Sequence, residues 1–254
     1  MLSASSILQQ IHRNDEAFSF FVSVAEKGES QGGWENERIA ALTKDDNLRP
    51  KILRHGEDEL RHGRLFASLL KRRNLSMTPV PANADYCMLL EVRGIGLSHA
   101  RLGENRPLSD DEILVYLAHS RVTEQRASEE VDLMVSVFDK DPEIGPALRM
   151  IAKDEVNHLA YCHEELLRLR APRLSALLEK YAKAELEVYR DVSLDFIRRM
   201  GEILAWSGLK RGLMKSGVMA KYRYEKWYGW RRMVSLKTPA IANAMAPQSE
   251  ASTS

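Results

Sequence analysis

Hydrophobic residues recur at three- and four-residue steps along most of this chain, the period of helices that bury one face. Alternating β-branched runs closed by Asn-Gly or Asp-Gly turns do not occur, so the pattern predicts an all-α fold. A first long helix is expected over Asp15–Leu42 and a second over Leu48–Arg73, ahead of a linker with Pro79 and Pro81. A shorter helix is expected over Ala84–Leu102. Ser109, with Glu112 three residues on, makes a capping box that starts the next helix, running to Phe138. Asp141-Pro142-Glu143 opens another, reaching Leu169, and Pro172 breaks it. A further helix fills Ser175–Trp206, ahead of a basic segment. The expected organisation is a bundle over residues 1–172, a helical extension over 173–237, and a tail over 238–254 whose Ala, Ser, Pro and Thr content is that of disordered chain.

Two of the apolar stripes are interrupted in the same way. In the second helix Ile52, His55, Glu59, His62, Phe66 and Leu69 share a face, and in the helix ending at Leu169 Leu148, Ile151, Glu155, His158 and Cys162 do. Glu and His three apart on one helical face can approach a single ion. A carboxylate buried without a partner costs several kcal/mol, so Glu59-x-x-His62 and Glu155-x-x-His158 call for one shared explanation. Each has a further Glu about one hairpin upstream: Glu29 precedes Glu59 by 30 residues, and Glu124 precedes Glu155 by 31. Both lie in core stripes, Glu29 with Phe18, Val22, Ala25, Asn36 and Ile39, and Glu124 with Leu117, Ser120, Val131 and Phe138. Glu26, one turn from Glu29, fits a similar stripe and competes with it. Four Glu and two His from four helices form two similar halves, and hard carboxylate oxygens with one imidazole per ion suit iron or manganese better than zinc or copper.

Composition narrows the class without changing this picture. The 254 residues carry 37 Lys+Arg against 36 Asp+Glu, with 44% hydrophobic residues, ordinary for a globular protein. The distant pair Cys87 and Cys162 offers no disulfide framework and no zinc ribbon, and suits a cytoplasmic setting. No apolar run approaches the ~18–20 residues of a membrane span, and the N-terminal residues lack the apolar stretch of a signal peptide.

The paired Glu and Glu-x-x-His pattern resembles the ferritin-like di-iron carboxylate proteins. Gly28-Glu29-Ser30-Gln31 is similar to the first-helix ligand segment of rubrerythrins and, more loosely, of aldehyde-deformylating oxygenases. Lys153-Asp154-Glu155-Val156-Asn157-His158-Leu159 resembles their second Glu-x-x-His helix. The resemblance covers residues 15–170. It implies a four-helix bundle holding two Fe ions, with Mn/Fe as the alternative, through metal ligands Glu29, Glu59 and His62 on one side and Glu124, Glu155 and His158 on the other. Glu59 and Glu155 would bridge as the catalytic carboxylates. It further implies an oxygenase or oxidase, a monooxygenase among the options, that uses dioxygen and an external reductase or ferredoxin on a small, largely apolar organic molecule. A homodimer is common among such bundles. A rubrerythrin-like peroxidase or ferroxidase is the alternative, although the rubredoxin-type Cys pairs are absent. A tRNA-modifying hydroxylase is another, and a bundle whose metals only stabilise the fold is the non-catalytic one.

Several neighbours have more than one reading. His55 stands one turn before Glu59 and serves as a third imidazole ligand, a pocket residue or a packed histidine. Arylamine N-oxygenases carry a similar His-x-x-x-Glu-x-x-His, but on the other ligand pair, where this chain has Ile151. Asp58, Asp154 and Asn157 are placed to orient the imidazoles or simply to be solvated. Tyr161 is a pocket candidate, Cys162 a small core residue, and His12, His99, His119 and His163 structural or exposed. Gly32 and Gly33 either leave room beside the metals or mark a close helix contact.

The charge is unevenly spread. Residues 208–237 hold nine Lys or Arg and one acid, Glu225, a net +8 that leaves −7 for the rest of a chain whose total is +1. Within them, Lys221 to Arg232 interleaves cations with five aromatics. Peripheral contact with a membrane, stacking on RNA, and plain packing with snorkelling cations are the three readings, packing ranked first and RNA last.

Overall fold

Short polar side chains start the helices where the spacing places them. The Asn14 carboxamide oxygen accepts from the Ala17 N–H at 2.9 Å and opens a helix over Asp15–Leu42. Both arms of the Ser109–Glu112 capping box are made, at 3.3 and 2.8 Å, and open the helix over Asp110–Phe138. The computed structural model describes residues 3–236, and the tail expected to be disordered lies outside the described residues.

In chain order the elements are α1 (Ala4–His12), α2 (Asp15–Leu42), α3 (Arg49–Arg72), α4 (Tyr86–Val92), α5 (His99–Leu102), α6 (Asp110–Phe138), α7 (Gly145–Leu169), α8 (Leu174–Ile203), α9 (Gly208–Tyr224) and α10 (Trp230–Val234). A 3-10 turn at Ala82–Ala84 precedes α4, and a π turn at Glu225–Gly229 joins α9 to α10. The fold is all-α, with no strand among the described residues.

Three boundaries differ from the pattern. The single helix expected over Ala84–Leu102 is two short ones, because Gly94 (φ 68°) and Gly96 (φ 80°) take left-handed conformations that a helix cannot continue through. Asp141 does not open α7: its carboxylate accepts from the N–H groups of Glu143 and Ile144, at 2.8 and 3.1 Å, and makes a turn that delays the helix to Gly145. Nor does the Asp15 start mark the first helix, since α1 lies before it, capped by Ser3.

Long helices pair as antiparallel hairpins. Gly33 of α2 faces Leu60 of α3 while Ser30 faces Gly63, so positions advance in opposite directions. Tyr116 with Tyr161 and Glu124 with His158 relate α6 to α7 in the same sense. The two hairpins meet through α3 and α7, where His55 touches Tyr161 and Arg61 touches Asp154. Helix α8 packs across α6 and α4, and α9 and α10 pack on α8.

The interior is layered. Val22, Phe66, Val131 and Ile151 belong to one apolar cluster and Ile39, Ile52, Leu117 and Cys162 to another. On each of α2, α3, α6 and α7 the Glu and His positions fall between these two sets, so a polar layer is enclosed by apolar ones.

Candidate metal centre

Each of the six side chains singled out by the spacing reaches the same polar layer, and His55 joins them. Their donor atoms form two groups that share Glu59. One is His55, Glu59, Glu124 and His158; the other is Glu29, Glu59, His62 and Glu155, and within each group the atoms lie within 4.8 Å of one another. Glu59 Oε1 is 3.3 Å from His55 Nε2, 3.4 Å from His158 Nδ1 and 4.0 Å from His62 Nδ1. Glu155 spans the layer, with Oε1 3.9 Å from His62 Nδ1 and Oε2 3.9 Å from His158 Nδ1. Glu124 meets the imidazoles of His55 and His158 at 3.4 and 3.5 Å. Glu29 meets His62 Nδ1 at 3.3 Å, whereas Glu26 accepts from the Ser30 hydroxyl and belongs to neither group.

The imidazoles are held from behind in a repeated manner. Asp154, just before Glu155, lies 3.1 Å from His62 Nε2, and Asp58, just before Glu59, lies 3.5 Å from His158 Nε2. Each aspartate thus reaches across to the histidine of the other hairpin. Arg61 Nη2 donates to both aspartates at 2.7 Å and ties the pair together. Asp58 is drawn down to about 2: burial opposes ionisation, but bonds to His158 and Arg61 outweigh it. Asn157, the third residue expected to orient an imidazole, is exposed and does not take part. Tyr161 serves His55 instead, its hydroxyl 2.7 Å from Nδ1. The chain continues at 2.6 Å to the Tyr116 hydroxyl, which donates to the Asn36 carboxamide oxygen at 2.7 Å. Tyr116 precedes Ser120 and Glu124 at steps of four, so the helical period alone puts it on this face.

Chemically, this layer is overloaded with acid. Burial and the neighbouring carboxylates hold Glu29 and Glu155 well above the ordinary carboxylate range. Glu124 goes the other way: burial alone would raise it, but His55 and His158 pull it well below. His55 is raised to about 10, burial being overcome by Glu124 and Glu59. Yet the protein atoms do not all satisfy one another. His55 Nε2, both ring nitrogens of His158 and Glu155 Oε2 are buried without hydrogen-bond geometry to any partner, although carboxylates stand 3.3–3.5 Å from His55 Nε2 and His158 Nδ1 and Asp58 stands 3.5 Å from His158 Nε2. Inward-facing donors that converge without pairing are what a cation site requires, and the oxygen-rich donor set, with the inner nitrogens of His55 and His158 unpaired, fits one or two hard or borderline divalent ions.

A cavity of 320 Å³ adjoins the layer, with Glu29, His55, Glu59, Glu124 and Glu155 in its wall. Leu90 of α4, Ile95 and Leu97 of the crossover and Val192 of α8 supply much of its apolar cover. Gly32 and Gly33 take different parts. A Cβ on Gly32 would sit 3.3 Å from Glu59 Oε2, beside the site, whereas on Gly33 it would meet Leu60 Cγ at 2.6 Å, so that glycine serves helix contact. His119, expected to be structural or exposed, also lines the cavity, and burial lowers its pKa. Cys87 lines it too, its thiol pushed well up by burial. Neither stands on a ligand stripe; the crossover between α3 and α6 brings the wall together, and sequence spacing carries no signal for that. His12 lies elsewhere, near Asp141 and Glu143, and His99 is paired with Glu35.

No protein-family model matches the chain, and no curated protein or solved structure matches it significantly. The site has to be read from its own geometry.

Proposed function

We propose that this chain is a ferritin-like dinuclear carboxylate enzyme, a non-haem di-iron oxygenase or oxidase acting on a small, largely apolar organic molecule. The observation that carries the reading is the pair of donor groups sharing Glu59 against the wall of a 320 Å³ cavity. Glu29 and His62 would hold one ion and Glu124 and His158 the other, with Glu59 and Glu155 between them and His55 as an additional nitrogen on the Glu124 side. Two iron ions so held supply paired one-electron reducing power for dioxygen chemistry, which no side chain of this chain offers. What the protein does is spacing, charge and exclusion of water. Asp154 holds the outer nitrogen of His62 and Asp58 stands 3.5 Å behind that of His158, so the inner nitrogens face forward. The apolar layers on either side keep bulk water out and keep the carboxylates close. The Tyr161 hydroxyl meets the outer nitrogen of His55 and with Tyr116 forms a hydrogen-bonded line that ends on the buried Asn36 carboxamide and holds the imidazole in place.

The cavity is what favours an organic substrate over the peroxidase or ferroxidase reading, since reduction of peroxide or oxidation of iron needs no apolar chamber of this size. The proposed partner is an external electron donor, a reductase or ferredoxin.

Rapid mixing of the anaerobically iron-loaded protein separates the oxygenase from the peroxidase reading. The oxygenase proposal expects ferric absorbance to appear with dioxygen faster than for iron in free buffer. If dioxygen reacts no faster than in buffer while hydrogen peroxide reacts quickly, the peroxidase reading replaces it.

A further inference from the structure

Helix α9 turns one side to the protein and an unusual one outward. Its inner side is anchored by Met214, Val218 and Tyr222 packed on the body of the molecule. On the opposite side Leu209, Leu213, Ala220 and Tyr224 follow one another at helical spacing, and Trp227 and Tyr228 of the π turn extend the row. These are not partly covered core residues: Leu209 is 75% exposed, Trp227 71% and Tyr228 67%. The 3.6-residue period puts Lys210 and Lys221 to one side of the row and Arg223 to the other, with the exposed Lys215 further round the helix.

Negative charge has been removed from this face. Glu225 is the only acid between Gly208 and Lys237, and it is buried, 3.0 Å from Arg126 and 2.8 Å from Arg232. The outward surface of α9 therefore combines apolar side chains with cations and the neutral Ser216 and glycines, and carries no acid of its own. Lys221 also ties the helix to the cavity wall, standing 3.3 Å from the Tyr189 hydroxyl and 3.6 Å from Glu130, both cavity residues.

We propose that the α9 face, with the π turn, docks on the surface of an anionic phospholipid bilayer. Leu209, Leu213 and Trp227 enter the boundary between headgroups and acyl chains, Tyr224 and Tyr228 stay at headgroup level, and the flanking cations meet lipid phosphates. The helix lies in the plane of the interface, since no helix among the described residues is long and apolar enough to cross a membrane. Exposed leucines decide against nucleic acid, which is bound through aromatic stacking and cations and gains nothing from aliphatic side chains facing outward. Binding to lipid does not depend on the metal reading. If both hold, a substrate dissolved in the bilayer would be taken up beside the cavity.

The test is flotation of the full chain, without added metal, with vesicles of phosphatidylcholine alone and of phosphatidylcholine mixed with an equal amount of phosphatidylglycerol. The proposal expects co-flotation with the anionic vesicles, weakened by salt, and at least about tenfold weaker binding to the neutral ones. The exposed-residue variant L213S/W227S should lose binding with an unchanged circular dichroism spectrum, and K215E/R223E should weaken it at least about tenfold. Failure to float with anionic vesicles would overturn the proposal, as would equal binding by L213S/W227S. Two further results would overturn it: retention of mixed-sequence RNA but not vesicles, or a dimer that L213S/W227S dissociates in place of lipid binding. Flotation only after removal of residues 237–254 would do so too, because the chain's own end would then be the occupant.

Discussion

Burial sets the charge of the inward-facing side chains. Without metal, His55 is raised to about 10 by Glu124 and Glu59 against its burial, so it is an imidazolium at neutral pH. Its folded value exceeds the ordinary one near 6.5, so its contribution to stability is complete below that value and is lost as pH rises through about 10. Burial and like charge keep Glu29 and Glu155 well above the ordinary carboxylate range, which favours their protonated forms. A cation entering the layer must displace these protons. Metal uptake in weakly buffered solution near pH 7 should therefore acidify the medium, and His55→Gln should shrink the release. Uptake with no release of protons would mean that the layer is not the binding site.

At the scale of elements, the α2–α3 hairpin separates packing from chemistry on adjacent residues. Gly33→Ala places a Cβ 2.6 Å from Leu60 Cγ and 3.0 Å from its backbone nitrogen, so the helices must part. The expected loss is about 1–3 kcal/mol, offset in part by the ~1 kcal/mol helix preference of Ala over Gly, and should appear as a lowered Tm. Gly32→Ala meets only the end of the Glu59 side chain at 3.3 Å. It should leave Tm close to wild type while weakening metal binding, and the reverse order of effects would contradict the placement. The helical period revealed these elements because it is local: α2, α3, α6 and the stripes of Glu29, Glu59, Glu124 and Glu155 were legible from spacing alone. The breaks at Gly94 and Gly96 were not, since a glycine's left-handed φ depends on what the chain must turn towards. Asn157 shows the same limit. It sits beside His158 in sequence, but its face of α7 points to water, and Tyr161, one turn on, contacts the neighbouring His55 of α3 instead.

For the whole molecule, the basic C-terminal third is part of the same structure as the acidic layer. Arg126 of α6 is buried between Glu185 of α8, at 2.8 Å, and Glu225 of the π turn, at 3.0 Å, and Tyr86 of α4 donates to Glu185 at 2.9 Å. This network joins the segment between α3 and α6, α8 and the end of α9 to one side of the cavity, and Tyr189 and Val192 of α8 help to enclose the site. Composition could show that residues 208–237 were basic but not that their only acid was turned inward.

On the proposed reading, four Glu and two His point inward, with His55 beside them, because cations neutralise them there. Anaerobic titration with ferrous iron, followed by desalting and metal analysis, tests it most directly. Two ions per chain are expected in the natural sequence, one for each donor group, with both lost in Glu59→Ala because the groups share that residue. Retention of much less than two ions by the natural chain, or of both by Glu59→Ala, would contradict the account.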